Sequence, residues 1–225
     1  MSVSLTFICA PVGGTRDAVF GDGLLSERGL REARAARAIL PPYSLAIRAP
    51  SNRCAQTAGV LGLETTVEPA LRDFDYGMWR GRTVGEVATD DPYTYAAWLT
   101  DPDAAPPGGE SVRRLCRRTA NWLGSVPTGT GRVLAITEPA VVRASLVHAL
   151  SAPATAFWHF DVPPLSVVSL TLRGGRWNVR LGHIPPDRAG TTRTVPLPCV
   201  AAQDKRVLVW GEAVSDEPYE LIARV

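Results

Sequence analysis

Three short, apolar, β-prone runs, Val3–Cys9, Tyr43–Ala49 and Val133–Ile136, each give way to a loop and then to a helix-forming stretch. This repeated order of strand, loop and helix constrains the fold more than any other feature. Compact apolar runs bounded by Gly, Pro or capping residues are the pattern of strands buried on both faces. Such strands need helices on each side, so the alternation predicts an α/β sheet in a three-layer α/β/α sandwich.

The first run stops at Ala10-Pro11-Val12-Gly13-Gly14-Thr15, where Pro and paired Gly open a loop. Ser26 is placed to cap the Ala-, Arg- and Glu-rich helix that follows, Leu30–Leu40, which Pro41-Pro42 ends. Ser51 or Asn52 caps the next helix, which runs to Leu61. Pro92–Pro107, rich in Asp, Pro, Ala and aromatics, has the composition of an insertion or lid. Gly108-Gly109-Glu110-Ser111 then opens a helix to about Leu123, whose Arg113, Arg114, Arg117 and Arg118 fall on more than one face and are expected mostly in solvent. A further helix spans Ala140–Leu150, and Val167–Leu172 with Trp177–Leu181 form a β-hairpin around Arg173-Gly174-Gly175-Arg176. The α/β domain is expected over residues 1–184. Residues 185–225 are a C-terminal extension packed on or near it, Pro-rich at first and strand-like again at Arg206–Trp210. That strand would extend the sheet, cover the cleft, or pair with a second copy in a homodimer.

Composition narrows the function. A chain of 225 residues, 45% hydrophobic, holds enough apolar side chain for one substantial core. A net charge of +2 without a block of Lys or Arg argues against nucleic acid as partner. Cys9, Cys54, Cys116 and Cys199 lack paired spacing, and His148, His159 and His183 are dispersed, so neither a metal nor another cofactor is expected. The N-terminus lacks a basic start and a signal-length apolar core, and no run reaches the roughly 18 apolar residues of a membrane span. The expectation is a cytoplasmic protein without a membrane partner.

In open α/β sheets, ligands collect at the carboxyl ends of strands. Three corners qualify, Cys9–Thr15, Ala49–Arg53 and Thr137–Arg143, and beside them stands the turn Leu71-Arg72-Asp73-Phe74-Asp75-Tyr76-Gly77-Met78-Trp79-Arg80-Gly81. This turn resembles the acid loop of the histidine phosphatase superfamily, the phosphoglycerate-mutase-like proteins. Four further stretches resemble that family in the same order: Asp22–Gly29, Ala49–Ala58 with its Arg53 and Gln56-Thr57-Ala58, Gly109-Glu110-Ser111, and Val133–Ala144. The resemblance implies the family's α/β fold, and a reaction in which a neutral imidazole attacks phosphorus, Arg and a second His bind the phosphoryl oxygens, and a carboxylic acid protonates the leaving oxygen.

The chain departs from that pattern where the chemistry lies. Cys9-Ala10-Pro11 stands in place of the family's Arg-His-Gly, no His precedes His148, and Glu138 replaces the second histidine. Arg53 matches a phosphate-binding Arg, and Asp73 matches the acid, one methylene shorter than Glu. The reading is a pseudophosphatase binding a small anionic molecule or a protein partner, with Arg53, Cys9, Ala10, Gly13, Gly14 and Arg143 as ligand-binding candidates. Within it, Glu138 is expected to pair with Arg53 in the emptied pocket. The alternatives are an altered enzyme using Asp73 and Glu138 as acid and base with Arg53 as anion anchor, and residual phosphatase activity through Cys9. For Cys9, the six residues before Arg16 are one more than a cysteine-phosphatase loop has.

Overall fold

The computed structural model describes residues 3–11, 18–127 and 129–183. The apolar runs become strands β1 (Val3–Cys9), β2 (Leu45–Arg48) and β4 (Arg132–Thr137), joined at one edge by the two-residue β3 (Thr66–Val67) and at the other by the hairpin β5 (Ser166–Arg173) and β6 (Arg176–His183). The sheet order is β3-β2-β4-β1-β5-β6. β3, β2, β4 and β1 are parallel, with Ser4 opposite Arg132 and Leu45 opposite Val133, while β5 and β6 run antiparallel.

Helix α1 (Glu27–Ala36) is capped by the Ser26 side chain and tightens into a 3-10 turn over Arg37–Ile39, which ends the helical path short of Leu40. Helix α2 (Asn52–Leu61) is capped by Ser51 and stopped by Gly62 in the left-handed conformation at φ 70°. Helices α1 and α2 pack on each other, as do α5 (Val112–Ser125) and α6 (Pro139–Ala149). Right-handed crossovers running outward from β1 to β3 put α1 and α2 on one face, and the return to β4 puts α5 on the other. On that second face Phe7 of β1 meets Trp122 of α5 edge-on at 6.2 Å. The three-layer sandwich expected from the alternation is therefore the architecture found.

The first part of the segment expected as an insertion or lid is instead helical, following directly on another short helix. Val84–Asp90 forms α3, and Pro92–Thr100 forms α4. Pro92 sits at the start of α4, where its missing N–H is no loss, and the Asp91 side chain accepts from the Thr94 amide. Trp98, on α4, is buried among Phe20, Phe74, Trp79 and Trp158, so α4 is part of the core rather than a cover over it. Among the described residues no helix is long and apolar enough to cross a membrane. The expected extension over 185–225, with its strand at Arg206–Trp210, lies outside the described residues, as do Gly13 and Gly14.

Candidate functional site

The carboxyl ends of β1, β2 and β4 meet at one place, as parallel topology requires. Thr137 closes β4, and its hydroxyl donates to the Leu71 carbonyl at 2.9 Å, tying the acid turn to the sheet. Glu138 follows at the N-cap of α6 and is only 1% exposed. Its Oε1 accepts from the Ser51 hydroxyl and from Cys54 Sγ at 3.3 Å, while Oε2 has no hydrogen-bond partner among the described residues. Arg53, in the first turn of α2, is also buried, donates from one terminal nitrogen to the Gly21 carbonyl at 3.3 Å, and leaves Nε unpartnered. No ion pair joins Glu138 to Arg53; each turns to other partners, so the expected mutual neutralisation is absent.

Asp73 is half-buried. Its Oδ2 accepts from the Tyr76 hydroxyl at 3.2 Å, and its Oδ1 is shielded from solvent without a hydrogen-bond partner. Burial, reinforced by the nearby Glu138 charge, pushes the Asp73 carboxyl up from 3.8 to about 7, with the Phe74 amide, Arg53 and the Tyr76 hydroxyl opposing. Arg143 of α6 donates Nε to the Phe160 carbonyl at 2.8 Å and lays its guanidinium 5.6 Å from the Trp158 ring and 5.9 Å from Phe157.

The acid turn is held by contacts far away in sequence. Arg118 of α5, which the charge pattern assigned to solvent, is mostly enclosed and forms a forked pair with buried Glu110 at 3.1 and 2.9 Å. The same guanidinium donates to the Ala70, Arg72 and Asp73 carbonyls at 2.7, 3.0 and 3.3 Å, clamping the backbone that carries Asp73. On the other side the turn docks backbone to backbone: Glu110 N donates to Asp75 O at 2.7 Å and Met78 N to Pro107 O at 2.9 Å. Gly77, at φ 50°, and Gly109 permit this approach, because a Cβ on either would stand 2.2 Å from Pro107 O or 2.5 Å from Asp75 O.

Two cavities share Asp73. The larger, about 320 Å³, is lined by Asp22, Ser51, Asp73, Asp75 and Glu138 together with Arg72 and Arg80. The smaller, about 130 Å³, is lined by Arg53, Asp73 and Arg143 with Tyr76, Trp98 and Trp158. The structure thus gathers Asp73, Glu138, Arg53 and Arg143 around two adjoining cavities that share Asp73 and Phe74 as walls. Cys9 and Ala10 are fully buried instead. The Ala10 amide donates to Thr137 O at 2.8 Å and is not available to an anion. Burial, with the Glu138 charge adding, drives the Cys9 thiol far above its ordinary range, so the nucleophile of the alternative cysteine reading is a shielded neutral thiol. His148 lies in the last turn of α6, and exposed His159 stands outside the aromatic wall formed by Phe157 and Trp158. Among the described residues, no three His, Cys, Asp or Glu are grouped to hold a metal ion. Ser51, Trp98 and Arg118 were missed as site residues; the helix-capping position of Ser51 was the one local signal available for any of them.

Comparison with known proteins agrees with this fold. The Mycobacterium tuberculosis bifunctional protein Rv2228c is 30% identical over 172 residues, covering 72% of this chain and 47% of that protein, so the chain spans about half the length of this relative. The adenosylcobalamin/alpha-ribazole phosphatase of Salmonella typhimurium is 24% identical over 61% of this chain and 73% of its own length. Among solved structures, mycobacterial glucosyl-3-phosphoglycerate phosphatase Rv2419c superposes with a TM-score of 0.70 at 23% identity, over 82% of this chain and all of the other, which speaks for the fold. The model of the histidine phosphatase superfamily (branch 1) matches residues 18–184, and the chain belongs to that superfamily.

Proposed function

We propose that this chain is a catalytically degenerate histidine phosphatase, a pseudophosphatase whose pocket binds a small molecule bearing an anionic group. The observation that carries this reading is Glu138: a buried carboxylate with an unpartnered oxygen lines the cleft where the family's reaction calls for a second phosphate-binding histidine. A negative charge there repels a phosphoryl dianion by several kcal/mol at the effective dielectric of such sites. Ala10, standing for the nucleophile, has no lone pair on its side chain and is buried. Arg53 and Arg143 remain as anchors for a less charged anion such as a carboxylate.

The test is a phosphatase assay on the purified chain against a broad panel of phosphate monoesters, including phosphoserine and alpha-ribazole phosphate, with vanadate binding measured alongside. These probes follow from relatives named as phosphoserine and alpha-ribazole phosphatases and from a mycobacterial relative solved with VO3. No turnover above background and no vanadate binding are expected. Turnover lost in Cys9→Ser would overturn the reading and establish a cysteine nucleophile. A second reading, acid and base catalysis by Asp73 and Glu138 on a non-phosphorylated substrate, draws on the Asp73 carboxyl being held near neutral pH. It requires that Asp73→Asn and Glu138→Gln each abolish a turnover that Cys9→Ser leaves intact.

A further inference from the structure

The two adjoining cavities, which share Asp73 and Phe74, differ in sign. Four carboxylates face the larger against two guanidiniums, and two guanidiniums face the smaller against the shared Asp73. The carboxylates of Asp22 and Asp75 are already engaged, with the amide and side chain of Asn52 and with the Gly77 amide respectively, so they contribute field rather than contacts. Glu138 Oε2 is the shielded acceptor left without a partner among the residues that line only the larger cavity, and Asp73 Oδ1 is another on the wall that both share. Among the residues that line only the smaller cavity the unpartnered shielded atoms are donors, Arg53 Nε and Trp98 Nε1. Glu138 is 1%, Trp98 4% and Arg53 6% exposed, so these are buried polar atoms whose hydrogen-bonding capacity is unmet by the protein.

We infer that the pocket takes a zwitterion, with the ligand's carboxylate seated among Arg53, Arg143 and Trp98 in the smaller cavity and its ammonium group against Glu138 and Asp73 in the larger. This rests on the pseudophosphatase reading and names its ligand class. An ammonium group brings up to three donors to acceptors that have none, and a carboxylate brings acceptors to the orphaned indole and guanidinium N–H groups. A phosphate ester satisfies the second set and is repelled by the first. Size agrees: the smaller cavity, about 130 Å³ against about 320 Å³, suits the compact carboxylate end, and the rest of the ligand lies in the larger one.

The experiment is titration calorimetry of the whole chain with glycine, β-alanine, γ-aminobutyrate and L-lysine, which vary the separation of amine and carboxylate. Butylamine, butanoate, N-acetyl-γ-aminobutyrate and inorganic phosphate serve as single-charge or wrong-charge controls. At least one amino acid is expected to bind about tenfold or more tightly than every control, the scale of losing one hydrogen bond to a charged group. Glu138→Gln is expected to weaken that amino acid about tenfold while leaving butanoate no weaker, since the charge removed repels an anion, and Arg143→Gln to weaken both the amino acid and butanoate. Binding of phosphate or butanoate as tight as the best amino acid overturns the inference, as does binding by no amino acid in the series. The comparison among ligands holds even if a variant fails to fold. Hydrolysis of phosphate monoesters by the wild-type chain would sink the pseudophosphatase reading itself. An inert chain that ignores the amino acids sinks only the zwitterion.

Discussion

Asp73 concentrates the electrostatic tension of the site in one carboxyl group. Its folded pKa of about 7 lies above the 3.8 of an unperturbed Asp, so the folded state holds the proton more tightly than the unfolded state does. The stability this group contributes is full below about pH 3.8 and is lost as pH rises through about 7. Asp73→Asn mimics the protonated form and escapes that loss. Its stability relative to wild type should rise between pH 5 and pH 8 by roughly 1–2 kcal/mol, allowing for partial solvent access, in urea unfolding at the two pH values. The same difference at both pH values would show that Asp73 titrates normally. Asp73 was legible in the sequence because the aromatic and glycine turn around it is compact and contiguous. Its strained protonation was legible only in part, since it needs Glu138, a residue brought close solely by the sheet.

Elements were read well where a local signal sufficed. The strands β1, β2 and β4 announced themselves as apolar runs between breakers, the hairpin by its Gly174-Gly175 turn, and α2 by its Ser51 cap. Helix α4 was missed because Pro92 and the surrounding Asp residues resemble loop punctuation, although Pro at a helix start and Asp at a cap are equally helix-forming signals. What no window of sequence reveals is the docking of the acid turn on Pro106–Gly109, or the Arg118 clamp, because both work through backbone carbonyls remote in the chain. The docking is testable. Gly109→Ala places a methyl group against Asp75 O, and urea unfolding should show a loss of about 2–4 kcal/mol, with the acid turn displaced. Stability within about 0.5 kcal/mol of wild type would mean that the two segments separate without penalty.

On the scale of the whole molecule, the residues that the proposed reading takes as departures from the family's chemistry sit at two strand ends, Cys9-Ala10 at the end of β1 and Glu138 after β4. No single reversion should therefore restore phosphatase activity. Ala10→His is expected to give no phosphohistidine on incubation with phosphate monoesters, because Glu138 still faces the cleft and Cys9 still stands for the family's Arg. Forcing the imidazole into a fully buried site should also lower stability by about 1–3 kcal/mol. A phosphorylated enzyme detected in that single variant would contradict this account. The same sheet dictates how the chain must be born. β1, made before every other strand of this sheet, finds its neighbours in β4 and β5, with Ser4 beside Arg132 and Val3 beside Leu172. Its apolar residues must wait through the synthesis of most of the chain before either partner exists. Vectorial synthesis therefore cannot complete this centre piecemeal, and closure of the sheet, with the pocket at its end, is a late event that depends on keeping the first strand unclaimed.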